Sequence, residues 1–326
     1  PDTPGDHTRI WLGRGPQSLI KRIEIHDASG HLLENIDNFD ALYALQEICT
    51  ADVGTRSRRG LFNKEFRYDV ANEYPSFGGQ LYASEDAKAP GSGAYEEVTT
   101  GAANIATIIP LEFTLASAVF GGSCVKYYPL SAMNGFRMTL TLNNPEWALD
   151  ANATTSAMSY YISDPTLFLN VIRVDPEVDR GIIQTAKGSD GKIRIHTQSW
   201  RTFTTTVAAA DTTLDYVIPI NVSSLKAIFF TFSPTTSGTS ANTQPHTSFY
   251  KRKLTDYQLF VDGNPLPASP VDVAAPYGEA MNELMRAWHV NLNDTDFPSM
   301  IHPKHYKDQE SDSIYSDAVF GLELES

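Results

Sequence analysis

The sequence predicts a mostly-β protein made of two β-sandwich units with a few short helices. Three observations predict it. Many short stretches alternate polar and apolar residues, turn signals separate them at short intervals, and aromatic residues, which pack well on sheets, make up 11% of the 326 residues. A chain of this length holds one large or two ordinary domains. We place the boundary in the small, polar stretch from Leu149 to Ser156, which gives units at residues 1–150 and 151–326.

The first unit begins with a predicted hairpin and helix. Alternation from Arg22, a turn over Asp27–Gly30 and a returning strand over Leu32–Ile36 indicate the hairpin. The helix that follows, capped by Asp37 or Asn38, has an apolar face at helical spacing and is expected to end before Gly54. A short β-like piece at Arg9–Leu12 precedes the hairpin. The helix is followed by a long polar loop over Thr55–Ala103, with β-like pieces only near Phe62–Tyr68 and Gln80–Tyr82. One or two strands over Ile105–Leu115, broken at Pro110, and a strand with one buried face over Phe136–Leu142 complete the unit.

The second unit repeats this pattern of strands and turns. Two helices are predicted in it, Pro176–Lys187 with Asp175 as its N-cap and Tyr277–His289 with an apolar face. Asp262–Asn264 forms a turn, after which Pro265–Pro270 is expected to be an extended arm. A polar loop spans Ser233–Thr247. The predicted strands are Tyr160–Val174, Lys192–Trp200, Thr202–Val207, Leu214–Ile220, Leu225–Phe232, Asp256–Val261 and Ile314–Leu324.

The charge of the chain argues against nucleic-acid binding. The net charge is −14 and the isoelectric point is near 4.9, whereas binding to phosphates requires arrays of lysine and arginine. No membrane-spanning run and no signal peptide are apparent. Because the sequence begins with Pro1 and not with methionine, we expect a processed protein or the ordered part of a longer product. One basic cluster is more typical of a solvated loop or a subunit contact than of a phosphate site; it comprises Arg56, Arg58, Arg59, Lys64 and Arg67.

No catalytic residue, cofactor site or metal ligand is predicted. His302 and His305 have a spacing that could hold a metal, but Pro303 and the lack of defined third and fourth ligands favour a solvated loop, even with Asp308, Glu310 and Asp312 nearby. The turn Gly121–Cys124 has apolar neighbours and no assigned base, so it is interpreted as a bulge with a buried thiol. We therefore predict that the protein is not an enzyme.

Other groups keep alternatives open. Cys49 and Cys124 are expected to be buried thiols, although one bridge between them is compatible with the sequence. Calcium held between loops and a carboxylate pair of a glycosidase are also compatible with the abundant acids. Aromatic pairs are more typical of sheet packing than of sugar platforms. The acids are Glu96, Glu97, Asp262, Asp294, Asp296 and those in Asp308–Asp317. The aromatic pairs are Tyr127–Tyr128, Tyr160–Tyr161 and Phe229–Phe230. Glycosylation sequons, which matter only in the secretory pathway, begin at Asn152, Asn221 and Asn293.

Three stretches resemble segments of the double jelly-roll major capsid proteins of polinton-like viruses, virophages and related DNA viruses. The first, Ser18–Gln46, reads SLIKRIEIHDASGHLLENIDNFDALYALQ. The second, Ile109–Leu142, reads IPLEFTLASAVFGGSCVKYYPLSAMNGFRMTLTL. The third, Leu254–Asp272, reads LTDYQLFVDGNPLPASPVD. Together they cover about a quarter of the chain and occur in the family's order.

The resemblance implies a double jelly roll, with the first jelly roll at 1–150 and the second at 151–326. It implies a homotrimer with a pseudo-hexagonal outline in the shell of an icosahedral virion, assembled in the infected host cell. The partners would be neighbouring capsomers and minor capsid or penton proteins, while an inner membrane or other proteins would meet the genome. The family carries no active site. The first unit is short of strands for this family, so we expect a portion to be missing at its N-terminus.

Two other functions are compatible with a mostly-β chain. A single jelly-roll coat or penton protein would form five-fold oligomers. A carbohydrate-binding or carbohydrate-active β-sandwich would bind glycans through one exposed aromatic residue. The oligomeric state separates the first of these from a trimeric capsid protein, and a glycan array tests the second.

Overall fold

The computed structural model describes residues 10–12, 16–50, 81–82, 96–97, 135–151, 165–167, 173–188, 199–208, 210–222, 224–233, 249–288 and 318–324, together with Tyr160, Ile162 and Val171. In this part of the chain 33% of the residues lie in strands and 24% in helices, so strands predominate and the protein is sheet-rich, as predicted. The finer prediction of two jelly rolls, and of a boundary at residue 150, stays a prediction.

The described residues form eleven strands and four α-helices, and a short 3-10 helix spans Pro16–Leu19. Four separate sheets contain these strands, with the orders β3-β2-β6, β5-β4-β1-β7, β9-β10 and β8-β11. The strands are β1 (Ile10–Leu12), β2 (Ile20–Asp27), β3 (Leu32–Asp37), β4 (Leu81–Tyr82), β5 (Glu96–Glu97), β6 (Phe136–Leu142), β7 (Leu149–Ala151), β8 (Ala227–Phe230), β9 (Asp256–Val261), β10 (Asn264–Asp272) and β11 (Phe320–Glu323); the helices are α1 (Phe39–Thr50), α2 (Pro145–Ala148), α3 (Pro176–Gly188) and α4 (Gly278–Ala287).

The predicted N-terminal hairpin is confirmed as β2 and β3. Its turn is closed by a hydrogen bond from the Gly30 amide to the Asp27 carbonyl (3.1 Å), and Gly30 has a φ of +89°, which glycine adopts without steric cost. Ile23 lies opposite Ile36 across the pair, and both side chains are fully buried. The alternation in the sequence therefore corresponds to a sheet with one core face.

Helix α1 covers this core face. Phe39, Leu42 and Tyr43 pack against the isoleucines of β2 and β3 in one apolar cluster. The helix ends at Thr50, before Gly54, as the sequence predicts. Its other side packs against the C-terminal part of the chain: Ala44, Leu45, Ile48 and Cys49 share a second apolar cluster with Phe249, Leu284 and Val319. One helix thus buries residues from both halves of the sequence.

Strand β6 joins the hairpin on the other edge of β2, with Leu140 opposite Ile23 and Met138 opposite Ile25. The prediction that its apolar face is buried is wrong in part. Met138 is half-buried against the α1 cluster, but Leu140 and Leu142 remain 41% and 43% exposed. The reason is that α1 packs over β2, the central strand, and leaves the far end of β6 uncovered.

A buried polar junction connects the end of β6 to the start of α1. The Asn143 side-chain amide donates to the Asp40 carboxylate (2.8 Å) and to the Ser18 carbonyl (3.2 Å), while the Asn143 backbone amide donates to the Leu19 carbonyl (2.8 Å). The hydroxyl of Tyr160 donates to the Asn143 carbonyl. A buried polar group is costly without partners, so these bonds place the chain after β6 against α1 in one arrangement.

The C-terminal core is built on β8 and β11, which pair antiparallel, with helix α4 packed on them. Leu284 of α4 is buried, and Met281 and Trp288 pack partly buried against the apolar clusters, which confirms the predicted apolar face. Phe230, Tyr257 and Phe320 pack their rings together, with centroid separations of 5.0 to 5.7 Å. Offset and edge-on contacts of this kind are favourable in protein cores.

The segment after the Asp262–Asn264 turn is a strand and not a free arm, which corrects the prediction. β10 pairs antiparallel with β9 from Asn264 to Asp272, and its register shifts between Leu266 and Val271. This irregular stretch contains Pro267 and Pro270, and prolines, which lack an amide donor, are tolerated at bulges. The turn residues Asp262 and Gly263 have φ values of 50° and 81°, as a tight two-residue hairpin requires.

Two other predicted strands do not form. Thr202–Val207 and Leu214–Ile220 are fully described and contain neither helix nor strand. High β-propensity reflects packing on a paired, pleated surface, and these stretches pair with no other described segment. Of Tyr160–Val174, the described residues form no strand, and most of Lys192–Trp200 lies outside the described part. Helix α3 is confirmed, and Asp175 caps it by accepting a bond from the Glu177 amide (3.0 Å).

The buried side chain of Tyr257 should make the stability of the folded protein depend on pH in the alkaline range. Its buried hydroxyl donates to the Gly321 carbonyl (3.1 Å), and burial, followed by the charges of Glu283 and Glu279, raises its pKa well above the ordinary value of 10.0. Above pH 10.0, the ordinary pKa, an unfolded tyrosine loses its proton while folded Tyr257 keeps it, so the folded state loses stability as pH rises. We expect the free energy of unfolding in urea to fall from about pH 9 to about pH 11.

Tyr257→Phe should make this fall shallower, because the ionising hydroxyl is gone, and should lower stability at neutral pH by about 1 kcal/mol, the usual value of one hydrogen bond. Tyr216→Phe, at a tyrosine that is 38% exposed, is the matched control and should leave the slope unchanged. Equal slopes in the two variants would mean that Tyr257 is not the tyrosine whose ionisation destabilises the fold.

Candidate assembly surface

Most of the groups that the sequence analysis weighed as chemical sites lie outside the described residues. Among those that are described, Cys49 is buried in α1, as expected, and Asp262 lies at the exposed tip of the β9–β10 hairpin. Glu96 and Glu97 form strand β5. Five groups lie outside the described residues: the basic cluster Arg56, Arg58, Arg59, Lys64 and Arg67, the turn Gly121–Cys124, the histidines His302 and His305, the acids Asp294, Asp296 and Asp308–Asp317, and the sequons at Asn152 and Asn293.

No metal site emerges where the structure can be described: within the described ranges, no group of three or more metal-ligating side chains comes together. Within the same ranges, no helix is long and apolar enough to cross a membrane. The features that remain are surfaces, and four of them stand out by their exposed apolar or charged side chains.

The tip of the β9–β10 hairpin presents apolar side chains to solvent. Phe260 is 62% exposed, and Val261 and Leu266 are also exposed, on both sides of the turn at Asp262–Gly263. The base of the same hairpin is anchored, because Tyr257 and Val271 belong to the C-terminal core. A rigid base with an apolar tip is a geometry suited to insertion into another protein surface.

The N-terminal part of helix α3 is exposed: from Pro176 to Gly181 every residue except Asp179 is exposed. Val178 is 54% exposed, and Val171 and Val174, which precede the helix, are exposed as well. No other described helix or strand packs extensively on it. An amphipathic helix normally buries its apolar side against a neighbour, so an exposed one is typical of a contact made with a partner.

The segment 201–222 follows an aromatic anchor. The ring of Trp200 lies 5.7 Å from that of Phe229 and 5.8 Å from that of Trp288, and it also packs against the α1 cluster. The Thr202 hydroxyl donates to the Asp37 carbonyl (2.9 Å). Beyond Thr202 the segment is largely exposed, and it includes Val217, whose exposed fraction is 83%.

A basic turn, which the sequence analysis did not single out, joins Tyr250 to β9. Arg252 and Lys253 have φ values of 55° and 59°, and the Leu254 amide donates to the Lys251 carbonyl (3.1 Å), which closes the turn. Lys251 lies over the Tyr277 ring and Arg252 over the Tyr250 ring, at 5.2 and 5.0 Å. In the sequence, three consecutive basic residues in a chain of net charge −14 are the signal that could have indicated this turn.

Comparison with known proteins yields no relative: the chain matches no family model, no curated protein and no solved structure.

Proposed function

We propose that the protein is the major capsid protein of a DNA virus, a double jelly roll that forms trimeric, pseudo-hexagonal capsomers of an icosahedral virion. The observation that carries the proposal is the exposure of large apolar side chains on separate elements of a sheet-rich fold: the β9–β10 hairpin tip, α3, the segment 201–222 and the end of β6. Apolar side chains that are exposed together on one element are typical of a contact site for another protein.

Two further observations support the proposal. The three stretches that resemble double jelly-roll capsid proteins include β2, β3 and the start of α1, strand β6, and the β9–β10 hairpin. A subunit of a closed shell also contacts several neighbours at once, and the surfaces above lie on elements far apart in the sequence. In this proposal the partners are two further copies in the homotrimer, neighbouring capsomers and penton proteins, and the protein is located in the virion.

The oligomeric state tests the proposal. We expect sedimentation velocity and native mass spectrometry of the full chain to give a trimer, with an interface far above the roughly 2,000 Å² at which obligate interfaces begin. Negative-stain images should then show particles with a pseudo-hexagonal outline. A monodisperse monomer would argue strongly against the proposal, and a pentamer would favour a penton protein.

Variants at the hairpin tip sharpen the test. Phe260→Asp places a charge on an exposed apolar side chain, so it should weaken the trimer by at least about tenfold in dissociation constant and leave thermal unfolding of the single chain unchanged. Ser269→Asp adds the same charge to an exposed position on the same hairpin, away from the tip, and should have little effect. Equal weakening by both variants would indicate general charge repulsion and not a contact of the tip.

A further inference from the structure

The segment 201–222 has the sequence of a pair of strands. Residues 202–210 read TFTTTVAAA and residues 216–225 read YVIPINVSSL, and neither run contains a charged side chain. Threonine, valine, isoleucine and aromatic residues are those enriched in strands.

The backbone of this segment makes few hydrogen bonds to the rest of the described chain. Among the described residues, its backbone amides make three bonds, all local: Asp211 to the Ala208 carbonyl (3.1 Å), Ile220 to the Ile218 carbonyl (2.8 Å) and Ala208 to the Asp211 carboxylate (3.0 Å). Runs of unpaired N–H and C=O groups on β-prone sequence form a template for strand pairing.

The side chains give the same indication. Leu214, Tyr216 and Val222 are exposed, and Val217 is exposed over most of its surface. One end of the segment is nevertheless held in place, since Trp200 is packed against Phe229 and Trp288. The protein therefore presents an uncharged, β-prone and partly apolar stretch to solvent at a defined position.

We propose that the segment 201–222 pairs as β-strands with a second copy of this chain. The partner is a further copy in the proposed homotrimer. Two copies of net charge −14 repel each other, and the repulsion is weakest where both surfaces are neutral, which is the case when one copy contributes its own run 202–210 or 216–225. Main-chain pairing supplies the hydrogen bonds that the segment lacks, and Val217 and Leu214 become buried. The inference rests on the proposed function, because it assigns this segment to the interface between subunits.

Hydrogen exchange of the full chain tests the inference directly. The amides of residues 203–207 and 214–218 should exchange at least about tenfold more slowly in the trimer than in chain that native mass spectrometry shows to be monomeric, because pairing protects them. Amides of β2, which are already paired within one chain, serve as the internal control and should exchange at the same rate in both samples.

Proline variants supply a second, independent readout. Thr205→Pro and Thr206→Pro each remove one amide donor, and consecutive amides of a strand point to opposite edges, so one of the two variants removes a donor that faces the partner. Neither amide makes a hydrogen bond within the described single chain, so the thermal midpoint of the dissociated chain should not change. We expect one variant to weaken association by at least about tenfold. Thr205→Val and Thr206→Val keep the amide and are the matched controls.

The outcomes separate this inference from the proposed function. A chain that stays monomeric at every concentration overturns both. A trimer whose segment exchanges at the rate of the dissociated chain overturns the inference alone. Equal protection in the trimer and in a chain shown to be monomeric places the hydrogen bonds within one chain and also overturns the inference. If a proline variant fails to fold, hydrogen exchange of the unmodified protein still tests whether the segment 201–222 pairs between copies.

Discussion

Replacing Phe39 with alanine is expected to lower the free energy of unfolding by ~3–5 kcal/mol, the range for removing a large aromatic side chain from a core. Phe39 is fully buried at the start of α1, where it packs with the isoleucines of β2 and β3. Its ring also lies 6.3 Å from that of Tyr43, one turn later in the helix. The loss combines the transfer of the ring to water with the cavity left between helix and sheet.

Urea unfolding of the purified chain measures this effect, with Leu32→Ala as the matched control. Leu32 belongs to the hairpin on which Phe39 packs, but its side chain is 53% exposed, so its truncation should cost less than ~1 kcal/mol. The two positions differ in burial, since Phe39 is enclosed between helix and sheet and Leu32 is exposed at the start of β3. A similar loss in both would mean that α1 does not cover the sheet as described. Because α1 also contacts Leu284 and Val319, we expect the C-terminal core to lose stability in the same transition.

Gly321→Val is expected to destabilise the C-terminal core by about 3 kcal/mol, the upper end of the usual cost of overpacking. Gly321 lies in β11 beneath α4, and a Cβ atom there would lie 3.1 Å from each of Ala287 Cβ, Leu284 Cδ1 and Phe229 Cδ1. The Ala287 contact cannot be relieved by a side-chain rotation. Helix α4 would have to move away from β8 and β11, which would also disturb the bond from Tyr257 to the Gly321 carbonyl.

A substitution at a second glycine isolates this steric effect. Gly181 lies inside helix α3, and a Cβ atom there meets nothing within 4 Å. Gly181→Ala should therefore stabilise the helix, by up to about 1 kcal/mol, since alanine has the higher helix propensity. Thermal unfolding followed by circular dichroism measures both variants. A Gly321→Val protein as stable as the unmodified protein would show that α4 does not approach β11 as closely as described.

Both predictions concern the scaffold, and the scaffold positions the proposed assembly surface. The base of the β9–β10 hairpin shares the C-terminal core with Phe320 and Leu322, and Trp200 holds the segment 201–222 against Phe229 and Trp288. A loss of either core should therefore impair association as well as folding. This is why the variants proposed for testing assembly lie at the exposed positions Phe260, Thr205 and Thr206.

Elements with local signals were predicted well from the sequence. The hairpin of β2 and β3 has alternation on both sides of a glycine turn, and the β9–β10 turn has an Asp-Gly pair with the left-handed backbone that this pair favours. Helix α3 has its predicted cap at Asp175, and α4 has an apolar face at helical spacing. Each of these signals acts within about a dozen residues, so no distant partner is needed to recognise it.

The assembly surface was predicted less completely. The exposure of Phe260 and Val217, the unpaired backbone of 203–207 and the basic turn at Lys251–Lys253 have no clear periodic signal. Thr202–Val207 and Leu214–Ile220 were predicted as strands, and this was wrong. The error arises because β-propensity describes what a paired strand tolerates and not whether a partner is present. The predicted absence of catalytic and cofactor sites stays a prediction.

The sequence by itself determined where the chain turns, which short stretches alternate and which become helices, since these depend on backbone preferences and on the spacing of apolar residues along a few turns or strands. Only the tertiary structure decided which apolar faces are covered. Ile23 and Leu140 lie opposite each other on the same face, yet one is fully buried and the other exposed, because α1 packs over β2 and not over the end of β6. Burial depends on which element lies above a strand, and that element comes from elsewhere in the chain or, for the surfaces proposed here, from another copy of it.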